Sequence, residues 1–127
     1  YGNTIDIFAE EKVLTKQIMG IVTASIPLED PKDPNSCNVF NLYKLIASKE
    51  ETKELEEKYL KGGFGYGDAK KTLSAKLLDY FAEAREKYNE LLPKKDFVAE
   101  ILNDGSARAK LVASATLDAA KERIGYK

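Results

Sequence analysis

The chain has 127 residues, of which 43% are hydrophobic and 32% charged, with a net charge of −1, one cysteine and no histidine or tryptophan. That length allows one domain whose core removes roughly two thirds of the unfolded surface from water, and the near-zero charge excludes a global field drawing the chain onto nucleic acid or an anionic membrane. The lone Cys37 excludes an internal disulfide framework and suits a reducing compartment, while the lack of histidine removes the usual imidazole base and the commonest zinc ligand.

"YGNTIDIF" opens without a methionine and reads as the start of a piece cut from a longer protein. Ile5 and Ile7 alternate with Thr4 and Asp6, which predicts a short strand or an extended lead-in. In "AEEKVLTKQIMGIV", Val13, Leu14, Ile18, Ile21 and Val22 recur at helical spacing, with Glu10 and Glu11 at the N-terminal end that favours negative charge. Pro27, Pro31 and Pro34 then break any helix and predict one long irregular loop, either functional or a structural wrap.

"NVFNLYKLIA" predicts a short helix with Val39, Leu42, Tyr43 and Ile46 inward. Ser48 and Glu51 form an S-x-x-E capping box that opens "KEETKELEEKYLK", a helix with Leu55 and Tyr59 on its buried side. After "KGGFGYGDAKK" comes the longest predicted helix, about Asp68 to Leu92. Its apolar arc runs through Ala69, Leu73, Leu77, Tyr80, Phe81, Ala84, Tyr88 and Leu91, so Tyr80 and Tyr88 are assigned to the core. Pro93 stops it. A short helix from an N-cap at Asp96 to Asn103, closed by Gly105, and a last one from Ser106 to Ile124 complete the chain. The expected fold is all-α, an irregular bundle of about five helices within a single helical domain spanning residues 1–127, with at most a short extended N-terminal segment.

The glycine loop tests poorly as a phosphate site. Gly62 and Gly67 have Walker spacing, but Asp68 stands where the phosphate-binding lysine belongs, and a charged helix precedes the loop instead of a strand. The dinucleotide fingerprint fails as well, because its third glycine would fall on Asp68. The glycines read as a helix cap and a tight reversal, with Gly62 or Gly63 left-handed. The acidic run Glu50 to Glu57 is interleaved with lysines and reads as a solvated face. Cys37 lacks an imidazole partner for nucleophilic catalysis. No residue reads as catalytic, cofactor-binding or metal-ligating. Only a mild basic excess remains, a net of +2 from Asp68 to Lys95 against −1 for the whole chain.

"IVTASIPLEDPKDP", "NVFNLYKLIASKEETKELEEKYLKGGFGYGDAKKTL" and "EILNDGSARAKLVASATLDAAKERIG" resemble, in this order, the C-terminal helical region of bacterial-type tryptophanyl-tRNA synthetases of class I. The opening "YGNTI" resembles the stretch that follows the lysine-rich catalytic loop of those enzymes. The resemblance implies a parent ligase that activates tryptophan with ATP and Mg²⁺ and charges tRNA-Trp. It implies that the ATP signatures lie outside this chain, so that this part alone is inactive and holds no cofactor. It also implies a cytoplasmic homodimer with no membrane association, in which this region packs on its own catalytic domain and meets the tRNA anticodon. On that basis Lys70, Lys71, Lys94, Lys95, Arg108 and Lys110 are the candidate tRNA contacts. The sequence departs from the family at Ala24, where an Asp is expected. The alternative expectations are a helical protein-interaction module, or a structural brace, with no RNA binding of its own.

Overall fold

The computed structural model describes residues 2–126; Tyr1, from which the lead-in was read, and Lys127 lie outside it. Among the described residues the secondary structure is all-α, with no strand. Six helices follow one another: α1 (Glu11–Met19), α2 (Asn38–Tyr43), α3 (Lys49–Lys61), α4 (Tyr66–Tyr80), α5 (Ala82–Leu91) and α6 (Lys95–Ile124). The chain divides into two compact units, Tyr1–Glu86 and Lys87–Lys127.

In the first unit α4 is the centre, with α1 and α2 packed against it and α3 meeting α2. The periodic apolar residues supply the core: Leu14 and Ile18 from α1, Val39 and Tyr43 from α2, Leu55 and Tyr59 from α3, and Ala69, Leu73 and Leu77 from α4. Phe40, not assigned inward from the sequence, is also buried. It meets Tyr59 with ring centroids 5.5 Å apart, and Tyr59 in turn meets Phe64 at 5.7 Å and Tyr66 at 6.3 Å. Tilted and edge-on aromatic contacts of this kind add to simple area burial. Burial raises the Tyr59 phenol far above its ordinary value, and its Oη lies 3.4 Å from Cys37 Sγ. Val13 and Val22, by contrast, stay exposed.

The lead-in is not a strand. The Phe8 amide donates to Asp6 Oδ1 and the Ala9 amide to Asp6 O, so an Asp-centred turn feeds α1. Arg85 of α5, distant in the chain, fixes it, its guanidinium donating to the carbonyls of Ile7 and Ala9.

The capping box forms as expected. The Glu51 amide donates to Ser48 Oγ at 3.2 Å and the Ser48 amide to Glu51 Oε2 at 2.8 Å. Glu51 also accepts from Lys76 Nζ at 2.7 Å, tying the start of α3 to α4. The bond from Lys76, then that from the Ser48 backbone, hold the Glu51 carboxyl below its ordinary value. A depressed folded-state pKa contributes stability that is present above the unfolded value near 4.3 and lost as pH falls through the folded one. The melting temperature is therefore expected to drop on acidification below about pH 4.5, and Glu51→Gln should flatten the part of that drop due to this carboxyl. Ser48→Ala, which removes one half of the box, should cost about 1 kcal/mol in thermal unfolding.

The all-α bundle stands as expected, with six helices among the described residues, but two boundaries move. The long helix expected from Asp68 to Leu92 is two helices, divided at Phe81 (φ −99°, ψ 11°). Neither Gly nor Pro marks that break. Phe81 instead packs against the core and Arg85 turns toward the lead-in, so the cause is tertiary. As a result Tyr80 is exposed, not core, and Tyr88 is exposed on α5.

In the second unit the two helices expected on either side of Gly105 are one continuous helix of 30 residues, with Lys94 and not Asp96 as its N-cap. A mid-helix glycine costs only about 1 kcal/mol relative to alanine, and the alanine-rich stretch beyond it propagates the helix. No residue of α6 is buried. Gly125 is left-handed (φ 70°, ψ 20°) and closes α6, with its amide donating to Glu122 O and that of Tyr126 to Lys121 O, a Schellman pattern.

Candidate nucleic-acid interface

Each candidate cation has a definite setting. Lys70 Nζ donates to Met19 O at 2.9 Å, at the C-terminal end of α1, where the helix dipole favours a positive charge. Lys71 pairs with Asp68 at 3.2 Å, and both side chains are well exposed. Such pairs are worth at most about 1 kcal/mol and open readily toward a phosphate. These two lysines belong to the first unit.

The other four belong to the second. Lys94 shares Glu90 with Lys87, each at 2.8 Å. The bonds from Lys87 and Lys94 depress the Glu90 carboxyl to about 2. Arg108 Nε pairs with Asp104 Oδ2 at 3.1 Å. Lys95 and Lys110 are exposed on α6, and the structure gives neither an ionic partner among the described residues. At 3.6 residues per turn, Arg108 and Lys110 project roughly 160° apart, so they cannot meet one phosphate.

The glycine loop is occupied by protein. Gly62 (φ 77°, ψ 175°) caps α3, and a Cβ built on it would lie 2.2 Å from Glu29 O. The Gly63 amide donates to Leu28 O at 2.9 Å. The loop thus presses against the proline-rich segment instead of opening toward a phosphate. Gly62 does have the expected positive φ, but its extended ψ differs from that of a left-handed helical cap.

That proline-rich segment is organised by Lys32, a residue to which the sequence pattern assigns no role. Its side chain is buried at 2% exposure, and Nζ donates to Pro27 O at 2.8 Å, Asp30 O at 2.9 Å and Leu28 O at 3.1 Å. The ammonium also lies 5.8 Å from the centre of the Tyr66 ring. The only available sequence signal is a lysine among three prolines, a segment whose backbone carbonyls have few amides to satisfy them.

No group of three potential metal ligands comes together among the described residues. Cys37 is buried at 5% exposure and faces Tyr59. The glycine loop is packed against Glu29 and Leu28. What the arrangement does offer is exposed cations on helices, suited to phosphates.

No family model matches the chain. It is, however, 50% identical over 125 residues to the tryptophan–tRNA ligase of Campylobacter jejuni, covering 98% of this chain and 39% of that protein. The chain matches a segment of bacterial tryptophan–tRNA ligase. The corresponding ligase of Fusobacterium nucleatum is 45% identical over 125 residues, and that of Pseudomonas aeruginosa 35% over 127. The crystal structure of the Campylobacter jejuni tryptophanyl-tRNA synthetase, complexed with ADP and tryptophan, superimposes on 98% of this chain with a TM-score of 0.83. The chain spans about two fifths of the length of the first of these ligases, and less of the Pseudomonas one.

Proposed function

We propose that this chain is the C-terminal helical region of a tryptophan–tRNA ligase. Its parent activates tryptophan with ATP and transfers it to tRNA-Trp, and this region meets the anticodon end of that tRNA. The observation that carries the reading is 50% identity across nearly the whole chain, at the level of both sequence and superimposed structure. ATP and Mg²⁺ would be held by parts of the ligase outside this chain, since the glycine loop here is filled by Glu29 and the Gly63 amide is already bonded. The parent is read as a cytoplasmic homodimer. No helix among the described residues is long and apolar enough to cross a membrane.

The tRNA-facing residues are drawn from Lys70, Lys71, Lys94, Lys95, Arg108 and Lys110. Their settings rank them. Lys95 and Lys110 are the most available to phosphates, while Lys71, Lys94 and Arg108 must first release a carboxylate. Lys70 contributes least, because its ammonium caps α1.

The test is binding of a tRNA-Trp anticodon stem-loop across a salt series. Removing one phosphate-binding cation should reduce the slope of log K against log salt by about 1. Lys95→Ala with Lys110→Ala should lower the slope by about 2, and Lys70→Ala should leave it unchanged. An unaltered slope in the double variant removes those two residues from the interface. Tryptophan-dependent ATP–pyrophosphate exchange is expected from the parent and not from this chain alone. The reading of the chain as a brace is favoured by one observation, an uncovered apolar groove in the first unit.

A further inference from the structure

The lead-in is held from a distance. Its Asp-centred turn is fastened by two side chains from other elements. The Asp6 amide donates to Gln17 Oε1 of α1 at 3.0 Å. Arg85 Nη2 donates to Ala9 O at 2.9 Å and Nη1 to Ile7 O, across 76 and 78 residues of chain. Ahead of that turn, Gly2 to Ile5 make no hydrogen bond among the described residues. The course of the chain toward its N-terminal end is thus set between Asp6 and Ala9. Ile5 and Ile7 attach the lead-in to the core by burial, which has no direction of its own. Hydrogen bonds to particular carbonyls do have one.

Arg85 is given over to this contact. No ion pair among the described residues involves it. A guanidinium commonly meets a carboxylate with its planar fork, but here the fork spans two backbone carbonyls of alternate residues. Every other residue from Ala82 to Glu90 is exposed, whereas Arg85 is half-buried. The break at Phe81 starts α5 afresh, and the Arg85 amide donates to Phe81 O at 2.8 Å in its first turn. A helix break without Gly or Pro, and a guanidinium without a carboxylate, therefore serve one result: a fixed course for the lead-in.

On the reading of the chain as the C-terminal region of a ligase, the remaining polypeptide precedes the lead-in. We infer that Arg85 is a positioning residue for tryptophan activation: by fixing the carbonyls of Ile7 and Ala9 it sets the course on which this region joins the catalytic part, and so the placement of the catalytic groups. The inference rests on that reading. Arg85 acts through the lead-in and not on substrate. A displacement of about 1 Å caused far from the chemistry is enough to slow a reaction about a hundredfold.

The test uses the intact ligase and tryptophan-dependent ATP–pyrophosphate exchange. No exchange in the unsubstituted enzyme sinks the ligase reading itself. With exchange present, Arg85→Ala should lower kcat at least about tenfold and leave the KM for tryptophan within about twofold. Arg85→Lys keeps the charge and most of the stem but lacks the fork, and should lower kcat about threefold. Ser48→Ala weakens the same unit without touching the lead-in, and should leave kcat within about twofold. Hydrogen exchange at the Ala9 amide, bonded to Asp6 O, should accelerate at least about tenfold in Arg85→Ala while core amides of α4 keep their rates. A kcat unchanged in Arg85→Ala, a fall of equal size in Ser48→Ala, or a change in KM alone overturns the inference. Should Arg85→Ala fail to fold, Arg85→Lys decides by the same readouts, and an unchanged kcat there overturns it.

Discussion

Gly62→Ala is expected to destabilise the first unit by about 3 kcal/mol or more, a drop of roughly 12–24 °C in the melting temperature for a unit of this size. Two independent effects add. The backbone at φ 77°, ψ 175° lies in a region that essentially only glycine occupies, which costs a side-chain-bearing residue about 1–3 kcal/mol. The new methyl would also meet Glu29 O at 2.2 Å, and backbone cannot move aside as a flexible side chain can. Relief would require the proline-rich segment to lift from the glycine loop, which breaks the Gly63 to Leu28 hydrogen bond. Gly67→Ala is the matched control. It lies inside α4 with open space around its Cβ position, so alanine should be neutral or stabilising by up to about 1 kcal/mol. Thermal unfolding followed by far-ultraviolet circular dichroism separates the two. Equal melting temperatures for both variants would show that the two loops do not interlock.

Lys32→Met is the second large effect. Methionine keeps most of the apolar stem but removes the donor shared by three carbonyls at 2.8, 2.9 and 3.1 Å. An acceptor left unsatisfied in a buried site costs about 1–3 kcal/mol. Water can reach part of the segment once it loosens, so the net loss should be about 3 kcal/mol. The ammonium has no carboxylate partner among its bonded groups. Its charge is balanced by carbonyl dipoles and by the face of Tyr66, so lysine here acts as a knot tying its own loop. Arginine should not rescue the variant, because a planar guanidinium does not fit a site closed around a compact ammonium. Local opening distinguishes this account from a general loss of stability. Hydrogen exchange at the Gly63 amide, which is bonded to Leu28 O, should accelerate at least tenfold more than at the core amides of α4. Uniform acceleration across both would remove Lys32 from the role of loop organiser.

The two substitutions address one feature from opposite sides. Lys32 shapes the proline-rich segment, and Gly62 lets α3 end directly against it. The Lys32 amide adds a further tie, donating to Tyr59 O at 2.8 Å near the end of α3. The segment read from its prolines as either functional or a wrap is therefore held by named bonds on both the α3 end and the glycine loop.

Much of the architecture was legible in the sequence because its signals are local. The α3 helix is announced by Ser48 and Glu51, three residues apart, and its buried side by Leu55 and Tyr59, four apart. The mismatch of the glycine loop to phosphate-binding patterns was legible in Asp68 and in the charged helix before the loop. The kinship with tryptophan–tRNA ligases was legible in phrases running through most of the chain. The candidate cations were legible only as residue types. Whether Lys70 faces solvent or caps α1 depends on Met19, which is 51 residues away.

What the sequence determined by itself was therefore the first three helices, most of the residues that fill the core of the first unit, and the family likeness. Each follows from side-chain period, capping chemistry or residue identity within a few positions. Only the tertiary structure decided that the long helix breaks at Phe81, that α6 runs unbroken through Gly105, that Lys32 is buried and that Val13, Val22 and Leu45 border an uncovered groove. The physical reason is the range of the forces concerned. Helix propensity and caps act over about one turn, whereas the partners that bend a helix, bury an ammonium or engage a surface lysine are brought there by packing between segments distant in the chain.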